Sequence, residues 1–367
     1  MTAPSRPLIA LAAGGTGGHV FPAVAVAEAL ARRGADTMMM TDRRGARLLS
    51  GTYFSVLPAG SPFQRGVIPK VWAALQLGAG VVMALAMLRQ RRPAVMLGFG
   101  GYPSFAPMLA ARLTGIPALL HEQNAHLGRA NYLLARWCGN LALSWQGTRN
   151  LPDKVIHFVA GMPVRAAFLE IDELPEEDRE ALEVTIVGGS LGAAVFATMV
   201  PDALAQVDPA LRARLRVTQQ CRAEQMDMLQ ARYHEIGIDA EIRTFFDDMP
   251  YRFAKSDLVI SRAGASSVAE LAASGRPAIL IPFAGAMDDH QTANARQLEA
   301  AGGGICLAEA ELEAAALAAR ITAFLSDLPT LATMGRGGRG LAAADAADTI
   351  AGYALDLAAS GGSRSAR

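Results

Sequence analysis

Four glycines and a histidine, Gly14-Gly15-Thr16-Gly17-Gly18-His19, stand between a short apolar run and a helix-like segment. Successive backbone amides at such a turn, together with a helix N-terminus, suit a phosphate or diphosphate. The spacing is not the G-x-G-x-x-G of dinucleotide folds, since Val20 stands where the third glycine belongs, and there is no P-loop lysine. A tight strand-to-helix turn is the plainer reading of the glycines alone. His19, at the helix start, disfavours its protonated form and can serve as a neutral general base near pH 7; a loop-ordering hydrogen bond or donation to phosphate is the other role open to it. A second glycine cluster, Gly188-Gly189-Ser190-Leu191-Gly192, stands at the equivalent place in the second half.

Three further groups carry polar chemistry. In Ser261–Glu270, small residues let a ligand approach a helix start, Glu270 can accept two hydrogen bonds from a ribose diol, and Arg262 offers a cation. A first-turn carboxylate favoured by the helix dipole is the structural alternative for Glu270. Asp288–Asn294 mixes carboxylates and amides, which suits sugar hydroxyls, although singly such residues are capping groups. His121-Glu122-Gln123-Asn124 closes a strand in the first half, while His157 and His234 have no partner pattern and read as structural. No Asp-x-Asp occurs. Leaving-group charge is then expected to be met by backbone amides, helix dipoles and arginine, with no metal and no cofactor.

The elements that must position these groups alternate along the chain, as in parallel α/β architecture. Candidate strands are Leu8–Ala13, Asp36–Thr41, Tyr53–Leu57, Ala94–Gly98, Ala118–His121 and Leu141–Ser144, with helices Ala23–Arg33, Ser104–Leu113 and Arg129–Cys138 between them. The pattern restarts with strand Glu183–Val187 and helix Ala193–Val207. Strands Leu215–Gln219, Ala240–Phe245, Leu258–Ser261, Ala278–Pro282 and Gly304–Leu307 follow. Two Rossmann-like domains are expected, their parallel sheets facing a central cleft, with ligands at the carboxyl ends of the strands. The expected domains are residues 1–163 and 164–340, with a helix over 341–358 packing back on the first and disorder from Ser360.

Composition narrows the function classes. The chain of 367 residues is 51% hydrophobic and 19% charged, which excludes a disordered protein. Lys+Arg and Asp+Glu are both 34, and this balance disfavours general nucleic-acid binding. Cys138, Cys221 and Cys306 form neither a disulfide framework nor a metal motif and fit a reduced, cytoplasmic setting. The apolar run from Leu8 is too short for a signal-peptide core. Val71–Leu88 breaks the pattern: Gln76 is its one strongly polar residue, and Arg65, Lys70, Arg89, Arg91 and Arg92 flank it. A spanning helix, a core helix and a surface helix resting on a membrane are all open; the basic flanks favour the last, by attraction to anionic headgroups.

Taken in order, Gly14–Pro22, Gly98–Tyr102, His121–Asn124, Gly161–Arg165, Gly188–Gly192, Arg262–Glu270 and Asp288–Asn294 resemble the glycosyltransferases of the GT-B fold. Within these the chain resembles the MurG family, bacterial transferases that add N-acetylglucosamine to lipid-linked N-acetylmuramyl-pentapeptide, from about Leu8 to Tyr353. The resemblance implies a UDP-N-acetylglucosamine donor held mainly by the second domain. Ser190 and Arg165 would contact the nucleotide and the Phe246 backbone the uracil; Ala265, Ser266, Ser267, Val268, Ala269 and Glu270 would line diphosphate and ribose, and Gln291 would bind the sugar. Thr16, Gly17, Gly18 and Asn124 would face the reacting centre, with His19 the candidate base and the acceptor diphosphate on the first-domain glycine loops. It further implies a peripheral protein at the cytoplasmic face of the inner membrane, docked through the Val71–Leu88 region and working beside other cell-wall synthesis proteins. Two positions depart from the family pattern: Leu191 replaces a usual Gln, and Met162 replaces the usual Asn before Pro163. A UDP-N-acetylglucosamine 2-epimerase of similar fold, and a non-catalytic UDP-sugar-binding membrane adaptor, are the alternatives.

Overall fold

The computed structural model describes residues 6–49, 54–60, 66–189 and 193–364, without the side chains of 287 and 361–364. The chain divides into two compact units, residues 1–165 with 343–367, and residues 166–342.

In the first unit seven parallel strands lie in the order β3-β2-β1-β4-β5-β6-β7: β1 Leu8–Ala12, β2 Asp36–Thr41, β3 Phe54–Val56, β4 Val95–Gly98, β5 Ala118–Glu122, β6 Asn140–Leu143 and β7 Ile156–Val159. Strands such as Leu8–Ala12 and Val95–Gly98 are apolar on both faces because helices cover both sides of the sheet. Ala12 pairs with Met40 and Gly98, and Gly98 with Leu120, so the carboxyl ends of β2, β1, β4 and β5 lie level. The order reverses between β1 and β4, the switch point at which open α/β sheets take ligands.

The second unit repeats this plan with six parallel strands in the order β10-β9-β8-β11-β12-β13: β8 Leu182–Val187, β9 Leu215–Gln220, β10 Asp239–Arg243, β11 Leu258–Ser261, β12 Ala278–Leu280 and β13 Gly304–Cys306. Ser261 pairs with Val187 and with Leu280, which levels the ends of β8, β11 and β12. The fold class is α/β, with two Rossmann-like parallel sheets, in agreement with the sequence.

Several elements differ from expectation. β7 lies outside the strands read from the sequence; its short apolar run is broken by His157, and its Ile156 and Val159 are exposed at the sheet edge. The C-terminal helix runs over Ala346–Arg364, later than expected, and residues 360–364 are helical rather than disordered. Its Asp348 pairs with Arg32 and Arg33, and Tyr353 stacks on Phe158 at 4.6 Å and donates to Asn140 at 2.9 Å, which seats it on the first unit.

The apolar segment forms the helix Val67–Arg91. Only Ala73, Gly80, Ala84 and Leu88 are buried, whereas Val67, Ile68, Val71, Trp72, Leu75, Val82 and Met83 are exposed. The small stripe permits close approach: a Cβ on Gly80 would stand 2.5 Å from the Pro58 carbonyl. A core helix is therefore excluded. This helix is long and apolar enough to cross a membrane by length and composition alone.

Candidate functional site

The first unit's polar residues gather at the carboxyl ends of β1, β2, β4 and β5. The glycine turn leaves β1 with Gly15 at φ +82°, a conformation that other residues rarely adopt. Thr16 is the N-cap of the Gly17–Arg32 helix; its side chain makes no capping bond, and the first-turn amides of Gly17 and Gly18 have no carbonyl within the helix. Asp42, just past β2, holds the turn from below. Its carboxylate accepts from the Gly15 amide at 2.8 Å, the Gly45 amide at 2.9 Å and Arg44 at 3.1 Å. Burial alone would raise the Asp42 pKa, but these three donors outweigh it and hold the group below its ordinary value. Ser104 ties the neighbouring loop down, its hydroxyl 2.8 Å from the Ala12 carbonyl and 2.6 Å from that of Gly100.

His19 is half-buried, with Nδ1 3.0 Å from Gln123 Oε1. The Gly100–Gly101 turn, both residues at positive φ, packs against it, and a Cβ on Gly101 would meet the ring at 3.2 Å. His121 is buried and its pKa is pushed down to about 4, because burial outweighs its bond to the Gly161 carbonyl. Glu122 is the organiser of the loop after β5. It accepts from the Asn124 amide (2.9 Å) and side chain (3.0 Å), from Gly128 (3.0 Å) and from Asn131 (2.9 Å). Asn124 thus sits beside the His19–Gln123 pair with its side-chain nitrogen engaged by Glu122. Arg165 lies over the Phe21 ring at 4.8 Å. Met162 is buried, its sulfur 3.4 Å from the Ser144 hydroxyl.

In the second unit, Ser190, Leu191 and Gly192 lie outside the described residues, so the glycine cluster is seen only to Gly189, at φ +77°. The Ala265–Ser274 helix starts after β11 with Gly264 as N-cap and no side-chain cap. Ser266 lies in its first turn with a buried hydroxyl that has no hydrogen-bond partner among the described residues. Ser267 and Glu270 are half-buried, and Ala265, Val268 and Ala269 are buried against the sheet. Such an open helix start with an unsatisfied hydroxyl fits an anionic group. Phe246 is buried at the carboxyl end of β10, with the guanidinium groups of Arg252 and Arg243 over its ring at 5.1 and 5.5 Å.

Two residues read as ligand groups are committed elsewhere. Arg262 pairs with both carboxylate oxygens of Glu309, at 2.9 and 3.1 Å, and donates to the Ile281 and Pro282 carbonyls. It is a brace under the loop after β12, not a cation offered to a ligand. Asn294 is buried within a helix and donates to the Ala263 carbonyl at 3.2 Å, tying that helix to the turn after β11. Gln291 stands at the start of the His290–Ala300 helix and accepts from the Phe283 amide at 3.0 Å, while Asp288 and Asp289 are both at positive φ. Gln123 belongs to the His121–Asn124 group seen in the sequence, without a role of its own there; Asp42 and Glu309 lie outside the groups singled out, and the position of Asp42 directly after a strand is the one signal for it.

Two parallel sheets of Rossmann type, each with a glycine turn at its switch point, make up the architecture of the GT-B fold class. Residues 9–143 match the glycosyltransferase family 28 N-terminal domain, and residues 183–350 match the glycosyltransferase family 28 C-terminal domain. The chain belongs to glycosyltransferase family 28. It is 47% identical over 358 residues, 94% of this chain and 93% of the relative, to the UDP-N-acetylglucosamine–N-acetylmuramyl-(pentapeptide) pyrophosphoryl-undecaprenol N-acetylglucosamine transferase of Granulibacter bethesdensis. Among solved structures it is similar to MurG of Acinetobacter baumannii, with TM-score 0.76, 29% identity, and 95% of this chain and 99% of that one covered. It is also similar to a Listeria monocytogenes structure described as a UDP-N-acetylglucosamine 2-epimerase, with TM-score 0.68 and coverage of 94% and 95%; at 11% identity this shows the shared fold alone.

Proposed function

We propose that this chain transfers N-acetylglucosamine from UDP-N-acetylglucosamine to the C4 hydroxyl of undecaprenyl-diphosphate-linked N-acetylmuramyl-pentapeptide. The observation that carries the reading is the nearly full-length match, at 47% identity, to a relative named for this transfer. In the reaction the hydroxyl attacks the anomeric carbon in line, UDP leaves, and a β(1→4) linkage forms with inversion. His19 takes the hydroxyl proton as general base. The glycine turn, set by Asp42 through the Gly15 amide, binds the acceptor diphosphate through the first-turn amides of Gly17 and Gly18, with Thr16, Gly17, Gly18 and Asn124 facing the reacting centre.

The second unit holds the donor. The Ala265–Ser274 helix start receives the diphosphate, Ser266 supplies a hydroxyl, Glu270 accepts from the ribose diol and Gln291 reads the sugar. Ser190 and Arg165 contact the nucleotide, and the Phe246 backbone lies by the uracil. The Val67–Arg91 helix docks on the cytoplasmic leaflet of the inner membrane, where a polyprenyl-linked acceptor resides. Its exposed Ile68, Val71, Trp72 and Leu75 enter the interface, while Lys70, Arg89, Arg91 and Arg92 meet anionic headgroups. Other proteins of wall synthesis are its expected neighbours there.

The test is product analysis after incubation with donor and lipid-linked acceptor. One N-acetylhexosamine is expected on the acceptor lipid, joined through a β linkage. Recovery of N-acetylmannosamine or its nucleotide without modified lipid would favour the epimerase instead.

A further inference from the structure

Hydrogen-bond polarity runs from one backbone carbonyl to His19. The Gly161 carbonyl can only accept, and His121 Nε2 lies 3.1 Å from it, so His121 carries its proton on Nε2. Ser144 agrees: its hydroxyl donates to the Glu122 carbonyl at 2.9 Å, leaving a lone pair toward the same His121 nitrogen at 3.3 Å. Since burial keeps His121 neutral, its Nδ1 is an acceptor. Opposite Nδ1, at 3.1 Å, stands Gln123 Nε2, which also donates to the Phe99 carbonyl at 2.9 Å.

These acceptors fix which way the Gln123 amide faces, a choice otherwise left to the hydrogen-bond network. Its nitrogen points to Phe99 and His121, and its oxygen lies 3.0 Å from His19 Nδ1. An oxygen opposite a ring nitrogen requires N–H, so His19 carries a proton on Nδ1, and the neutral ring has its lone pair on Nε2. The pair is closed in: Gln123 is buried, and a Cβ on Gly100 would stand 3.3 Å from Gln123 Oε1 and 3.5 Å from the His19 ring.

We propose that Gln123 is a positioning residue, whose side-chain amide holds His19 as the Nδ1–H tautomer and so makes Nε2 the nitrogen that takes the acceptor proton. The catalytic consequence rests on the reading of His19 as base; the tautomer itself does not. Without the amide oxygen, the imidazole distributes between tautomers, and the Nε2–H form cannot accept a proton at that atom.

The test is ¹⁵N NMR of the full-length protein labelled at histidine, with the His19 signals assigned by their loss in His19→Ala. The wild-type protein is expected to show a protonated, pyrrole-type Nδ1 and an unprotonated Nε2 at His19. The reverse pattern would overturn the proposal without any variant of Gln123. Gln123→Met, similar in length but without an acceptor, is expected to lose the Nδ1–H preference and to lower kcat about 10- to 100-fold with donor KM unchanged, short of the 10²–10⁴ expected for the base itself. Gln123→Glu keeps an oxygen opposite Nδ1 but loses the donor to the Phe99 carbonyl and to His121; it is expected to retain the proton on His19 Nδ1, and loss of that proton would overturn the proposal. A Met variant with the wild-type tautomer overturns the proposal whatever its rate. An altered tautomer with wild-type kcat leaves the positioning intact and removes His19 as base.

Discussion

Asp42 and Gly15, 27 positions apart, meet through a 2.8 Å hydrogen bond from the Gly15 amide to the Asp42 carboxylate. The parallel register of β1 and β2 brings them together, since Ala12 pairs with Met40. The same oxygen takes the Gly45 amide, so one carboxylate shapes both the glycine turn and its neighbour. Asp42→Ala leaves two amides without their acceptor and is expected to cost about 1–3 kcal/mol. The Asp42 pKa is lowered in the folded state. Its contribution is therefore fully present above the ordinary carboxylate value of about 3.9 and is lost as pH falls through the lower folded value. Denaturant unfolding at pH 7 and at successively lower pH reads both; an alanine variant as stable as wild type at pH 7 would contradict the role.

His19→Ala removes the candidate base and is expected to cut turnover by about 10²–10⁴-fold, with a smaller effect on donor KM. Steady-state kinetics on both substrates measures this. Wild-type kcat would remove the assignment.

Ser266 has a buried hydroxyl without a partner among the described residues, so removing it relieves an unsatisfied group in the free protein. Ser266→Ala is expected to hold or raise Tm while raising donor KM roughly tenfold, the size of a lost hydrogen bond to a charged group. Thermal unfolding and kinetics together check it. Lower Tm with unchanged KM would make the serine structural.

The Arg262–Glu309 pair braces the loop after β12, and Glu309 also accepts from the Ala284 amide at 3.0 Å. Arg262 lowers the Glu309 pKa and the Ala284 amide adds to this, against the opposing effect of burial. Glu309→Ala strands a nearly buried guanidinium and is expected to cost about 3 kcal/mol. That contribution is held above the ordinary carboxylate range and lost as pH falls through the lower folded value. Chemical denaturation of the variant measures it, and a change below about 0.5 kcal/mol would show the brace to be dispensable.

The Val67–Arg91 helix exposes Trp72 at 62% and Leu75 at 60%, which a membrane interface would bury. At about 1.5–3 kcal/mol per large side chain buried, Trp72→Ser and Leu75→Ser are each expected to weaken partitioning to anionic liposomes about tenfold or more. Flotation at fixed lipid concentration measures it. Unchanged flotation of the double variant would move membrane docking off this helix.

The central strands were legible because each is a short, mainly apolar run such as Leu8–Ala12, Val95–Gly98 or Leu258–Ser261, bounded by turn residues. β7 was not, because its apolar run is four residues long, is broken by His157, and lies exposed at the sheet edge rather than between two helix layers. The glycine turn, His19 and the Ala265–Ser274 helix start could be placed, since their chemistry is local. The partners of these groups could not. Arg262 read as a cation open to a ligand because Glu309, 47 positions on, meets it only through the fold. The role of Gln123 likewise depends on Phe99 and His121 fixing its amide from two strand ends.

The most direct test of the central claim is UDP release from UDP-N-acetylglucosamine in EDTA, with and without a short-chain lipid-linked muramyl-pentapeptide. Release is expected to depend on the acceptor and to persist in the chelator. UDP formed equally without acceptor, or no release with it, would contradict the transferase assignment.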